Sequence, residues 1–205
     1  MNRTAMHPIS CSMNSQELAN FDAFDWIDRY FAGQATLDYN QLRPVLCFSL
    51  IWNLFETIAC RRMANPNSIR QSVDHADQSG RIDPAKYAKY VTFFRNRYLT
   101  DGTVDDVFDR LLMTHAESRI VVRRVLNDET KDLNNIVYAL LLIAHRIRNN
   151  LFHGNKEVSS LHLQTDLFQV VNRLLTDFIE DIAPDRPPGL IINFSRRPLQ
   201  LTQNR

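Results

Sequence analysis

The residues best suited to chemistry form one short run, Arg148-Asn149-Asn150-Leu151-Phe152-His153-Gly154. An arginine, two amides and a histidine lie within six positions and are closed by one of only five glycines in the chain. Arginine is a permanently charged fork that fits a phosphate. Histidine is the side chain that exchanges protons near neutral pH. A helix that buries Leu140, Leu141 and Ile147 just upstream has no packing need for such a cluster. The combination suits cleavage of a phosphodiester.

Two long amphipathic segments position this run. The first is predicted from Thr130 to about Asn150, with Leu133, Ile136, Val137, Leu140, Ala144, Ile147 and Leu151 on one stripe. The second is predicted from about Glu157 to Ile182. There Leu161, Phe168, Leu175 and Ile182 recur every seven residues, with Val171 and Phe178 between, as the seam of a bundle or a dimer would require. Upstream, helices are expected at about Ser15–Phe31 and Asn40–Met63, the latter ended by Asn65-Pro66. Pro44 falls in its first turn, where proline is tolerated. Shorter helices are expected at Ser68–Gln78, Pro84–Leu99, Val104–His115 and Glu117–Asn127. No alternating β-branched run is bounded by turns, so the fold class is all-α.

At the motif itself, the order Arg148-Asn149-x-x-x-His153 resembles the Arg-x4-6-His signature of HEPN domains. Trp52-Asn53-Leu54-Phe55-Glu56 resembles the helix that many of these domains place beneath their cleft. The resemblance covers residues 40–63 and 130–182. It implies a helical bundle that dimerises, bringing two copies of the motif into a basic cleft, and in many members a metal-independent endoribonuclease of toxin–antitoxin or abortive-infection systems. By position, His153 is then the general acid or base, Arg148 holds the scissile phosphate, and Asn149 orients the phosphate or the histidine. RNA supplies its own nucleophile in the 2′-hydroxyl, so proton transfer and charge stabilisation suffice. No metal and no other cofactor is expected. The implied partners are RNA, a second copy of the chain, and an antitoxin or another protein, with neither DNA nor membrane. Family toxins that are silenced by modification carry a tyrosine two residues after the histidine; Asn155 stands there. The alternative reading is a HEPN-type module that binds RNA, a nucleotide or a protein without cutting anything.

Geometry adds a condition. Residues five apart on an ideal helix diverge by ~140°, so Arg148 and His153 share a site only if the helix breaks near Asn149-Asn150 or a dimer assembles it. The two asparagines and Gly154 favour a break. Asn150 is a supporting candidate, as is Glu56, which lies in an apolar helix and could face Arg148 or His153, or pair with Arg61 or Arg62. Arg146 and Lys156 flank the motif and could meet an RNA backbone.

Other patterns read as structure. Arg119, Arg123 and Arg124 make a basic face with acids close by. Tyr87, Tyr90, Phe94 and Tyr98 are interleaved with Lys86, Lys89, Arg95 and Arg97, as in a single-strand stacking surface, but their helical spacing favours core. His7, His75, His115, His145 and His162 join no constellation. Cys11, Cys47 and Cys60 make an odd count with no CxxC pair and read as reduced core residues.

The bulk numbers bound the rest. A net charge of +1 over 205 residues excludes a global field for nucleic acid and leaves only local patches. Residues 1–13 lack the apolar core of a signal peptide, and the longest unbroken apolar run, Ile136–Ala144, is too short to span a bilayer. The expectation is a cytoplasmic chain with one HEPN-like domain over 1–183, in which 80–128 form insertion or cap helices. Four of the eight prolines fall within 184–205, so that stretch is expected to be an extended or disordered tail.

Overall fold

The computed structural model describes residues 22–30, 39–101, 103–104, 106–111, 113, 115–153, 161 and 163–184. Within them the chain is helical almost throughout: α1 (Ala23–Tyr30), α2 (Tyr39–Ala59), α3 (Pro66–Gln78), α4 (Pro84–Tyr98), α5 (Asp106–Asp109), α6 (Ala116–Leu126), α7 (Leu133–Phe152) and α8 (Thr165–Ile182). The one exception is a two-residue antiparallel pair, β1 (Leu99–Thr100) with β2 (Thr103–Val104). It stands where the sequence predicts the start of a helix, and among the described residues of the expected Val104–His115 helix Asp106–Asp109 are the helical ones.

Helix starts follow local chemistry. Asp132 caps α7 by accepting from the Asn134 N–H at 3.3 Å, and Asp83 caps α4, with Pro84 in its first turn. Asn65-Pro66 does more than end α2. Asn65 and Ser68 form a reciprocal capping box that opens α3. The helix α2 has already stopped at Ala59, where Arg61 and Arg62 adopt φ of 51° and 72°. The Arg62 N–H reaches back to the Glu56 carbonyl at 2.7 Å, closing the turn.

The core is built around α7, whose residues Val137 to Ala144 are all buried. The helices α3, α4 and α6 pack on α7, and α2 packs along α8. Contacts Gln41–Thr165, Pro44–Asn172, Phe48–Phe168 and Phe55–Phe178 show that α2 and α8 run in the same direction. Leu161, Phe168 and Leu175 of the seven-residue pattern are buried together with Val171 and Phe178, so the seam is an intramolecular one. Tyr87, Tyr90, Phe94 and Tyr98 of α4 are buried in the same cluster, and the stacking-surface reading fails for them. Cys60 is buried and its thiol is pushed up to about 11 by burial, as a core cysteine requires.

Between α4 and α8 lies the most heavily charged buried site. Asp177 is fully buried, accepts from the Tyr90 hydroxyl, and forms ion pairs with the Lys89 ammonium at 3.2 Å and the Arg173 Nε at 2.8 Å. Burial alone would raise this carboxyl, but the hydrogen bonds from Tyr90 and Lys89 and the positive charges of Arg173 and Lys89 outweigh it and hold it below the usual range. Lys86 and Tyr87 converge on Asp181 one turn later.

The segment Asn40–Ala59 is long and apolar enough to cross a membrane by length and composition. One face of it, Leu42, Val45, Phe48, Trp52 and Phe55, is buried in the bundle, whereas Leu46 and Leu50 are half exposed. Pro44 lies six residues into α2, deeper than the first turn, and its carbonyl accepts from Asn172 of α8 at 2.8 Å.

Candidate functional site

The helix α7 does not break at Asn149-Asn150. It continues to Phe152 and is capped by His153, whose N–H donates to the Asn149 carbonyl at 2.9 Å. The break expected from the two asparagines is absent because Asn150 is anchored from the side. Its buried Nδ2 donates to the carbonyls of Arg110 at 3.0 Å and Leu111 at 3.3 Å, so the amide satisfies α5's exit turn instead of competing with the helix. Asn150 therefore faces away from the motif's polar corner. Arg146 is used in the same way: its Nε donates to the Leu111 carbonyl at 3.0 Å.

Arg148 and Asn149 do come together. The Arg148 Nη1 donates to the Asn149 Oδ1 at 3.2 Å, and the guanidinium carbon sits 5.3 Å from the centre of the Phe152 ring. The Arg148 Nε is buried and has no hydrogen-bond partner. Among the described residues no carboxylate pairs with it, unlike Arg119, which binds Asp109, or Arg173, which binds Asp177. A half-buried guanidinium short of acceptors has the chemistry to take an anion. His153 is exposed just beyond the helix end. Within one chain it is not hydrogen-bonded to Arg148, in keeping with the helical divergence. Lys156 and Gly154 lie outside the described residues.

Among the described residues Glu56 faces neither Arg148 nor His153 and takes a structural partner instead. Its Oε1 accepts from the Ala64 N–H at 3.3 Å, tying the end of α2 to the loop that leads into α3. No ion pair joins it to Arg61 or Arg62 among the described residues.

The structure adds a residue that sequence reasoning set aside. His145 stands one turn before Asn149, and its Nε2 lies 3.5 Å from the Asn149 Nδ2. Its ring is tilted over Trp52 at 5.9 Å. It lines a small cavity of about 60 Å³ with Pro66, Met113, His115, Ser118 and Asn149. Burial, together with the positive charges of Arg146 and Arg148, lowers its pKa to about 4 against the raising effect of a hydrogen bond in which the Ala64 backbone accepts. The ring is neutral at physiological pH. The i,i+4 spacing of His145 to Asn149 is written in the sequence, but the burial of the ring and its contact with the amide are not.

Compared with protein-family models, with curated proteins and with solved structures, the chain finds no match.

Proposed function

We propose that this protein is a metal-independent endoribonuclease of HEPN type, working in the cytoplasm as a homodimer. The observation that carries the reading is Arg148: a half-buried guanidinium with no carboxylate partner among the described residues, held by Asn149 and Phe152, five residues before an exposed histidine. Arg148 binds the phosphate and offsets the charge that builds on its oxygens. The 2′-oxygen of the ribose attacks phosphorus, the bond to the 5′-oxygen breaks, and a 2′,3′-cyclic phosphate forms. That step needs one group to take the 2′-hydroxyl proton and one to protonate the leaving oxygen. His153 and the His153 of a second copy fill the two roles, which fits their separation from Arg148 within a single chain. The motif's resemblance to toxin and abortive-infection proteins points to RNA cleavage in bacterial defence, with an antitoxin or another protein as a further partner.

A second reading is favoured by the unbroken helix: without a dimer, Arg148 and Asn149 form an anion-binding corner whose one neighbouring histidine among the described residues, His145, is buried and held uncharged, while His153 diverges from it. The protein is then a module that binds RNA, a nucleotide or a protein and cuts nothing. Incubation of the purified chain with cellular RNA in EDTA separates the two. Wild type is expected to leave 2′,3′-cyclic phosphate or 3′-phosphate ends and His153→Ala none. Equal inactivity of both overturns the nuclease reading in favour of the binding module.

A further inference from the structure

We propose that His145 is a positioning residue for this site: its ring dictates which way the Asn149 amide faces, and the amide in turn holds the Arg148 guanidinium in its phosphate-binding pose. The inference rests on the reading of Arg148 as the phosphate-binding group.

The chemistry of donors and acceptors carries it. Arginine can only donate, so the Asn149 atom that meets Arg148 Nη1 at 3.2 Å is the amide oxygen. The amide nitrogen then faces the other way, toward His145 Nε2 at 3.5 Å. Two donors cannot face each other, so Nε2 must be the bare acceptor nitrogen of the ring. This leaves the single N–H of the neutral imidazole on Nδ1 to donate to the Ala64 backbone, which accepts from this histidine. The N–H of the same Ala64 donates to Glu56 Oε1 at 3.3 Å. A chain of contacts thus runs from Glu56 on α2, through the loop before α3, to His145, Asn149 and Arg148 on α7.

The loop is not a relaxed one. Two successive non-glycine residues, Arg61 and Arg62, hold left-handed backbone just before Ala64. Such strain persists where surrounding structure over-determines it, and it concentrates near functional sites. Trp52 closes the other side of the ring. Burial and the cationic neighbours Arg146 and Arg148 keep the imidazole uncharged, the state in which Nε2 can accept. Glu56 and Trp52 thereby gain roles as supports of the site, though neither touches Arg148.

The experiment uses the full chain with nitrogen-15 labelled histidine and arginine. At pH 7 the wild-type ring of His145 is expected to show a protonated Nδ1 and an unprotonated Nε2; a proton on Nε2 overturns the relay. In His145→Phe, which keeps an aromatic ring against Trp52, the Arg148 guanidinium signals are expected to shift and binding of a short single-stranded RNA to weaken about tenfold. His145→Gln offers an amide oxygen as acceptor and is expected to recover most of that loss. Equal weakening in both variants, with folding intact, reduces His145 to a packing residue and overturns the proposal. A wild-type protein that shows the Nδ1–H ring but binds and cuts no RNA refutes the functional reading while supporting the relay, so the two failures are distinct.

Discussion

Arg148, Asn149 and His153 share a motif but not a setting. Arg148 is half-buried and short of partners, whereas His153 is exposed past the helix end. Arg148→Lys keeps the charge but loses the planar fork and its contacts to Asn149 and Phe152, and it is expected to lower cleavage by about a hundredfold, roughly 2.7 kcal/mol of transition-state stabilisation. Measured kcat/KM on a defined RNA checks this; a lysine variant within threefold of wild type would show that only charge matters. His145 makes a separate prediction for stability against pH. Its folded pKa of about 4 lies below the ordinary 6.5, so the unfolded chain binds the proton first. Its contribution is complete above pH 6.5 and is lost as pH falls toward 4. The stability lost between pH 6.5 and 5 amounts to at most about 2 kcal/mol. Urea midpoints across that range are expected to fall in wild type and to flatten in His145→Phe.

At the level of elements, helix ends carry most of the information. The carboxylate of Glu56 and the amide of Asn150 both lie where α2 and α7 meet a loop, and each is spent on a backbone group. Asn150→Ala leaves the Arg110 and Leu111 carbonyls short of a donor and is expected to cost about 1–3 kcal/mol of stability. Cleavage per folded molecule should be unchanged; a specific loss of cleavage with stability intact would return Asn150 to the site. The junction of α4 and α8 is tested at Asp177. Removing it by Asp177→Ala strands the Tyr90 hydroxyl in the core and is expected to cost about 2–3 kcal/mol, read as a lowered thermal midpoint. The cost stays in that range because Lys89 and Arg173 are more than half exposed and rehydrate.

For the whole molecule, the near-zero net charge of +1 means that the proposed RNA binding would rest on local groups. Binding of single-stranded RNA is therefore expected to fall gently with salt, and Arg148→Ala to reduce the log–log slope by about 0.7, the share of one phosphate contact. A slope unchanged in that variant would place the contact elsewhere. If the proposed nuclease assembles its site from two copies, light scattering is expected to find two chains per particle, and dilution below the dimer's dissociation constant to abolish cleavage.

The all-α class, the two long helices and the polar motif at the end of α7 were legible in the residues alone. So was the core nature of Tyr87, Tyr90 and Phe94, because periodicity and capping act over a few neighbours and are written locally. The roles inside the motif were not. Asn149 and Asn150 are adjacent and identical in type, yet one faces Arg148 and the other braces the carbonyls of Arg110 and Leu111. Which amide does which depends on a turn some forty residues away, and no local rule contains that. His145 was passed over for the same reason: its neutrality comes from burial against Trp52 and from the charges of Arg146 and Arg148, and its orientation from the backbone at Ala64. Sequence determined which residues could do chemistry. Only the packing of α2, α3 and α7 decided which of them are held for it, because hydrogen-bond direction and desolvation are properties of a place in the fold.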